Sequence, residues 1–408
     1  MLPSIGIIGV CIETRLLVPL LRAAGYHVHG VWDKSYDICK RFAEEFSISF
    51  YTADLKDLLV DPKVELVYVG AQPSTHAEIA VKALSAGKHV ICQQPPSILK
   101  AGVEKMVSLS CYYSQLLGSL ESHMRFLPIF TKMRELLLSG YCGNPQAAEV
   151  HLQIGSLIGT EAYGWKCDSE MGGGVLNIVG SHIVDILNFL TGQKATEVSG
   201  FLSTFVHNTP RIQGYRSITS DDFCTFQMKC TRGMCVSVVI SALVQGEGKM
   251  ELSVTGSLGR LRVVSGDLWG LKFGGKEEKI LSLQQEQVNI GDIRKWTHLN
   301  MGFYQTFVIG TRFMIEALRD VFDHSTGQMV PRHTWKHYSL SATFEDGLYI
   351  RTVLDAIRQS HETKQWVRIE LDKSSESLSY PFWTGASLVA ADSDKPSPKL
   401  YRPLSYAM

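Results

Sequence analysis

The chain lacks a net field of either sign. Its 408 residues carry 40 basic and 40 acidic side chains, so no overall basic surface points to nucleic acid. It lacks an apolar run long enough to span a membrane. It lacks any Cys-x-x-Cys pair, and its 9 cysteines are scattered among apolar neighbours. That reads as reduced, packed thiols, with no disulfide framework and no metal site. Cys167 and Asp168 have no spaced partners that would make a ligand set. No lysine or arginine precedes Arg15, so the apolar residues 16–21 before Ala23-Ala24-Gly25 lack the basic start of a signal peptide. Glycosylation sequons, a serine nucleophile elbow and internal repeats are missing too. What remains is a globular chain, 45% apolar and 20% charged, expected in the cytoplasm.

The order of what is present is more telling. Residues 5–9, 26–32, 66–69 and 90–92 read as short strands, separated by helical stretches over 14–24, 33–46 and 76–86. In the second helix Ile38, Phe42, Ala43 and Phe46 keep helical spacing and are expected to face the core. This alternation predicts an α/β fold: a Rossmann-like, doubly wound parallel sheet over residues 1–125. The turn-rich Gly140-Tyr141-Cys142-Gly143-Asn144-Pro145 marks a change of texture. Longer strands follow at 147–154, 197–205, 223–229, 234–243, 249–255 and 260–264, with hairpin turns at 231–233 and 256–259. They predict a C-terminal α+β domain over 126–371, built on one large, mostly antiparallel sheet. Helices return at 303–321 and 338–360, the second expected to pack back on the first domain. Residues 372–408, rich in serine and proline, read as a loosely held tail.

Three places carry chemistry. Gly6-Ile7-Ile8-Gly9-Val10-Cys11-Ile12-Glu13-Thr14 occupies the strand-to-helix turn where a dinucleotide fingerprint belongs. Gly6, Gly9, Cys11 and Thr14 are therefore cofactor-binding candidates: Gly9 as the tight-turn glycine, Cys11 and Thr14 where two further small residues are usual. Asp33 closes the second strand where an acidic side chain meets an adenosine ribose, favouring NAD. Lys34 and Ser35 would instead receive the extra phosphate of NADP, and a third role for Asp33 is to cap the next helix. At the end of the 90–92 strand, Gln93-Gln94-Pro95-Pro96 falls at the carboxyl edge of a parallel sheet, where open α/β folds bind ligands.

That last stretch resembles the Glu-Lys-Pro motif of the Gfo/Idh/MocA oxidoreductase family, with Gln93 and Gln94 in place of glutamate and lysine. Gln72-Pro73-Ser74-Thr75-His76 resembles the family's Pro-Asn-x-x-His segment beside the nicotinamide, and Arg125-Phe126-Leu127-Pro128 its Arg-Phe-x-Pro. Met171-Gly172-Gly173-Gly174-Val175-Leu176-Asn177, continuing to His182 and Asp185, resembles its glycine-rich segment and catalytic helix, with Asn177 in place of an aspartate. The likeness spans roughly residues 1–370 and is nearest to the animal glucose-fructose oxidoreductase domain-containing branch, through runs such as Ile218-Thr219-Ser220-Asp221-Asp222-Phe223.

The resemblance implies an oxidoreductase that binds NAD or NADP and acts on a sugar or polyol, homo-oligomeric through the second domain's sheet. It makes His182, Asn177 and Gln94 the catalytic positions, Arg125 and Asp185 the substrate-facing ones, and adds Pro73, His76, Gln93, Asp33 and Lys34 to the cofactor site. A glutamine cannot supply the lysine's charge, and an asparagine cannot act as a carboxylate. The expectation is a cofactor-binding protein with impaired turnover. An active enzyme using His182 is one alternative. A non-enzymatic scaffold is the other, and the branch's association with the extracellular matrix sets secretion beside it.

Overall fold

Short β-branched runs form the strands of the first sheet, and each is followed by an amphipathic helix. The computed structural model describes residues 2–158, 163–208, 216–244, 248–283, 301–323 and 325–370; the tail expected over 372–408 lies outside them. Strands β1 (Ile5–Ile8), β2 (Val28–Trp32), β3 (Phe50–Thr52), β4 (Leu66–Val69), β5 (His89–Cys92) and β6 (Gly118–Leu120) pair in parallel, in the order β3-β2-β1-β4-β5-β6. Between them run α1 (Ile12–Ala23), α2 (Tyr36–Phe46), α3 (Leu55–Val60), α4 (Pro73–Ser85) and α5 (Lys100–Tyr112). The carboxyl ends of β1, β4, β5 and β6 thus lie along one edge, where chain reversal on either side of β1 leaves a crevice. One core expectation fails: Ile38 faces water, and Cys39 is fully buried beside Phe42, Ala43 and Phe46. The helix starts at Tyr36, behind the Ser35 N-cap, and this start sets which face is inward.

The second half follows α6 (Pro128–Leu138). Its strands are β7 (Pro145–Gln153), then, after α7 (Ser181–Thr191), β8 (Ala195–Ser203), β9 (Phe223–Cys230), β10 (Cys235–Ser241), β11 (Lys249–Gly256), β12 (Gly259–Val264), β13 (Asp267–Lys272) and β14 (Glu278–Ser282). Helices α8 (Met301–Leu318) and α9 (Phe344–Thr363) and the short β15 (Val367–Arg368) complete it. The sheet runs β14-β13-β12-β11-β7-β10-β9-β8-β15, antiparallel except for the β7–β10 pair. Period-two burial sorts its faces: along β7, Ala148, Val150 and Leu152 are buried while Glu149 and His151 are exposed.

Two helices from the second half tie into the first sheet. From α8, Met314, Ile315 and Leu318 join Ile5, Leu17, Val31 and Phe42 in one core, and Val321 and Tyr338 extend it. Helix α9 starts at Phe344, later than the sequence pattern suggests, because Thr343 caps it: its hydroxyl accepts the Asp346 N–H at 3.2 Å, and Asp346 Oδ2 accepts the Thr343 N–H at 3.0 Å. Tyr338–Leu340 forms a separate 3-10 turn. A methyl group at Gly118 would come within 2.8 Å of the Phe344 ring, and one at Gly200 within 2.7 Å of Ile357, so α9 lies close against β6 and β8. Among the described residues no helix is long and apolar enough to cross a membrane, and every cysteine is free.

Acid sensitivity is built into the edge of β5. His89 Nδ1 accepts the Leu117 N–H at 2.9 Å, which requires an unprotonated nitrogen, and burial pushes the imidazole down from 6.5 to about 4. The unfolded chain takes up this proton near 6.5 and the native one near 4. Stability is therefore complete above the unfolded value and falls as pH drops through that window. The shift is worth at most ~3 kcal/mol, and partial exposure of the ring lowers this to about 2 kcal/mol. Urea midpoints of His89→Gln should show a shallower pH dependence between these values; a slope equal to that of the natural protein would refute the assignment.

Candidate functional site

The β1–α1 turn is built for close approach. Gly9 has φ +93, and a methyl group there would sit 2.6 Å from Ala71 backbone atoms. Cys11 caps α1: its N–H donates to Thr14 Oγ1 at 2.9 Å, that hydroxyl donates to the Cys11 carbonyl at 3.0 Å, and the Cys11 Sγ lies 3.6 Å from the same hydroxyl. Thr14 is fully buried, and a methyl group at Gly70 would meet its Cγ2 at 2.7 Å. Tight packing here is thus achieved by a glycine on the opposite strand end. Gly6 lies inside β1, packed beneath Val64 and Leu58, three residues short of the turn. Asp33 Oδ2 accepts the Val10 N–H at 3.0 Å and Oδ1 the Ser35 N–H at 3.1 Å. Its carboxylate is held beside the turn, while Lys34 is exposed. The positive first turn of α1 and a fixed acceptor at the end of β2 fit the pyrophosphate and ribose of a dinucleotide.

At the next strand ends, Pro73 begins α4 and is buried. His76 is buried with Nδ1 2.9 Å from the Pro95 carbonyl oxygen and Nε2 2.7 Å from that of Ala71. It clamps together the loops after β4 and β5. Gln93 is half-buried, its N–H donating to the Val69 carbonyl at 2.9 Å. Gln94 is buried; its Nε2 donates to the Glu121 carbonyl at 3.2 Å and to Asp185 Oδ2 at 3.4 Å, and its Oε1 has no hydrogen-bond partner.

The glycine-rich segment is packed against other parts of the chain. A methyl group at Gly172 would strike Ile98 at 2.8 Å and Pro73 at 2.9 Å, one at Gly173 the Lys166 carbonyl at 2.5 Å, and one at Gly174 (φ +101) the Asp221 carboxylate at 2.2 Å. Protein atoms occupy all three approaches. Asp221 in turn accepts the Leu176 N–H at 2.7 Å, holding the start of the helical segment. Leu176–Gly180 forms a π-helical turn before α7.

Asn177 and His182 each have partners of their own. Asn177 is buried, accepting from Arg351 Nη1 at 3.1 Å and donating to the Gly173 carbonyl at 3.4 Å. Arg351 also pairs with Asp355. Arg125 and Asp185, expected to face substrate, are each 2% exposed and joined by a buried ion pair, with Arg125 Nε 3.1 and 3.0 Å from the two carboxylate oxygens. Asp346 lies 3.2 Å from Arg125 Nη2, and the Phe189 ring 5.3 Å from its guanidinium carbon. This cluster braces the cleft wall. His182 is half-buried, its ring 5.0 Å from that of His123. Burial, with His123 adding to it and Glu121 opposing, pushes the imidazole down to about 3. Burial pushes the Glu121 carboxyl up, yet His123 and His182 bring it below the ordinary range.

Glu121, Asp221, Asp346 and Arg351 carry no role in the sequence reading. The one local signal was the Glu-x-His alternation at Glu121 and His123; the others act through partners far along the chain.

Residues 4–114 match the family profile described as "Oxidoreductase family, NAD-binding Rossmann fold", and residues 130–262 that of the "GFO/IDH/MocA C-terminal domain". The chain is 38% identical over 381 residues to glucose-fructose oxidoreductase domain-containing protein 1 of Xenopus tropicalis, covering 93% of this chain and 95% of that one. It is also 38% identical over 373 residues to the domain-containing protein 2 of Homo sapiens, covering 91% and 94%. Among solved structures, levoglucosan dehydrogenase in complex with NADH and levoglucosan shares the fold at a TM-score of 0.74 and 17% identity, over 91% of this chain and 100% of that one. The first sheet is an NAD-binding Rossmann domain, and the chain belongs to the GFO/IDH/MocA oxidoreductase family.

Proposed function

We propose that the protein is an oxidoreductase of the sugar or polyol dehydrogenase type that prefers NAD to NADP and turns over slowly. The observation that carries the reading is the Gln94 amide, buried where the family's lysine stands, hydrogen-bonded to the Glu121 carbonyl and Asp185, and without a charge or a proton to exchange. The nicotinamide, when bound, supplies the group that accepts or donates hydride. The chain's own residues must then orient a hydroxyl-bearing carbon, exclude water and take the hydroxyl proton. His182 is left to accept it. With its pKa near 3 it holds a proton weakly, whereas an efficient base titrates close to the working pH. The Asn177 amide, tied to Arg351, takes none. Weakening groups that act together costs orders of magnitude in rate.

A small sugar as substrate draws support from the ligands named for levoglucosan dehydrogenase, levoglucosan and L-sorbose. The cofactor preference rests on Asp33, whose carboxylate would stand against a 2′-phosphate. Self-association through the outer face of the second sheet belongs to the same reading, supported by exposed Phe201 on β8. Titration of the purified chain with NADH and NADPH, followed by nicotinamide fluorescence, should give saturable binding at least about tenfold tighter for NADH. With NAD and a panel of sugars and polyols, turnover is expected below about 0.1 s⁻¹, against a common enzyme value of roughly 10 s⁻¹. Ordinary turnover would overturn the impairment, tighter NADPH binding the assignment of Asp33, and a monomeric mass in sedimentation the self-association.

A further inference from the structure

Glu121 lies just past β6, His123 opens the 3-10 turn behind it, and His182 stands near the start of α7. One carboxylate oxygen and one ring nitrogen from each histidine lie within 4.8 Å of one another. Glu121 and His123 are only 2% and 5% exposed. The geometry around them is fixed. The His123 N–H donates to Glu121 Oε1 at 2.9 Å, and His123 Nδ1 stands 3.0 Å from both carboxylate oxygens. The Phe307 ring meets that of His123 edge-on at 5.1 Å. A methyl group at Gly310 would sit 2.2 Å from the His123 carbonyl oxygen, so α8 presses directly on the turn.

A buried carboxylate needs compensation, and here its nearest side-chain partner is an imidazole. Gln94, whose Nε2 donates to the Glu121 carbonyl, contributes an uncharged amide where a lysine would bring a cation able to repel a second one. Two imidazoles and a carboxylate are also the protein ligands of a zinc site that keeps one position open. Bonds of about 2.0–2.2 Å in a tetrahedron hold ligand atoms roughly 3.4 Å apart. Small side-chain adjustments, of about 1.4 Å at most, close the set from its present spacing. A nitrogen-rich set without sulfur disfavours Cu(I), and magnesium or calcium would want more oxygens.

We infer that Glu121, His123 and His182 form a binding site for a divalent first-row transition ion, zinc by its donor set, with an open position facing the cleft for an oxygen ligand. The site does not depend on the hydride-transfer reading, since a cleft without turnover holds the ion equally well, and an ion bound there would occupy the His182 nitrogen that reading uses as proton acceptor. The sequence showed no such set because its members are 59 residues apart from His123 to His182 and meet only through the packing of α7 on the 3-10 turn.

The test uses the full chain stripped with a chelator and then titrated with Zn²⁺ against a chromogenic competitor. One equivalent is expected to bind, and Co²⁺ in its place should give the intense visible bands of a tetrahedral site. His182→Ala, at a half-buried position, and Glu121→Gln should each weaken binding at least 100-fold, since even loss of a group supporting a ligand costs about 10–100-fold. Circular dichroism of each variant separates this loss from misfolding, and His182→Ala is the variant expected to fold. The inference is overturned if the natural chain fails to compete for Zn²⁺. It is equally overturned if folded His182→Ala binds with unchanged affinity, which would place the ion elsewhere, on surface thiols or histidines.

Discussion

Replacing Arg125 by methionine should lower stability by about 3–5 kcal/mol, because Asp185 would be left as a buried charge without its partner. The guanidinium is 2% exposed and holds Asp185 and Asp346. Methionine fills much of the volume yet returns none of the charge. The reverse change, Asp185→Asn, should cost less, since Asp346 stays 3.2 Å from Nη2. The double variant Arg125→Met/Asp185→Leu should recover much of the loss, as buried pairs exchanged for apolar groups are often close to neutral. Urea midpoints for the three proteins decide the matter. A loss below about 1 kcal/mol for Arg125→Met would mean that the pair is not closed as described, and would return Arg125 to the substrate.

The second large effect is a gain. Gln94→Lys should raise turnover on the best sugar or polyol by about 10²–10⁴-fold, the range that a positioned proton-transfer group supplies. Two acceptors already surround the position: the Glu121 carbonyl and Asp185 Oδ2, now 3.2 and 3.4 Å from the Gln94 amide nitrogen. An ammonium group would find them in place. Asn177→Asp, the other apparent repair, should leave turnover unchanged. The new carboxylate would pair with Arg351, whose Nη1 lies 3.1 Å from Asn177 Oδ1, and would strengthen the fold instead. Steady-state rates of both variants, each with confirmed NADH binding, provide the check. If Gln94→Lys gains nothing while still binding cofactor, Gln94 is not the missing part.

Much of this architecture could be read from local pattern. The alternation of short β-branched runs and helices up to β6, the Gly9 turn, Asp33 at the end of β2 and the hairpin turns of the second sheet all depend on neighbours within a few residues. The glutamines after β5 were also visible, since position along a strand fixes which edge they reach. What pattern could not reveal was the partner of each polar group. Asn177 was read beside His182 alone, and its hydrogen bond from Arg351, 174 residues away, was not visible. Arg125 and Asp185 looked available to substrate because each was read alone; they are 60 residues apart and satisfy one another. The three glycines at 172–174 carried the resemblance but not their local reason: Pro73, the Lys166 carbonyl and Asp221 fill the space a side chain would need.

The core shared by the first sheet and α8 has a consequence for how the protein is made. Ile5, Leu17, Val31 and Phe42 leave the ribosome well before Met314, Ile315, Leu318 and Tyr338, which cover them. At roughly 5–20 residues per second, the roughly 200 residues between β6 and Tyr338 take about 10–40 s to synthesise. Throughout that interval the nascent sheet carries an uncovered apolar face, a ready client for chaperones. Its final closure waits for α8 and Tyr338 to emerge.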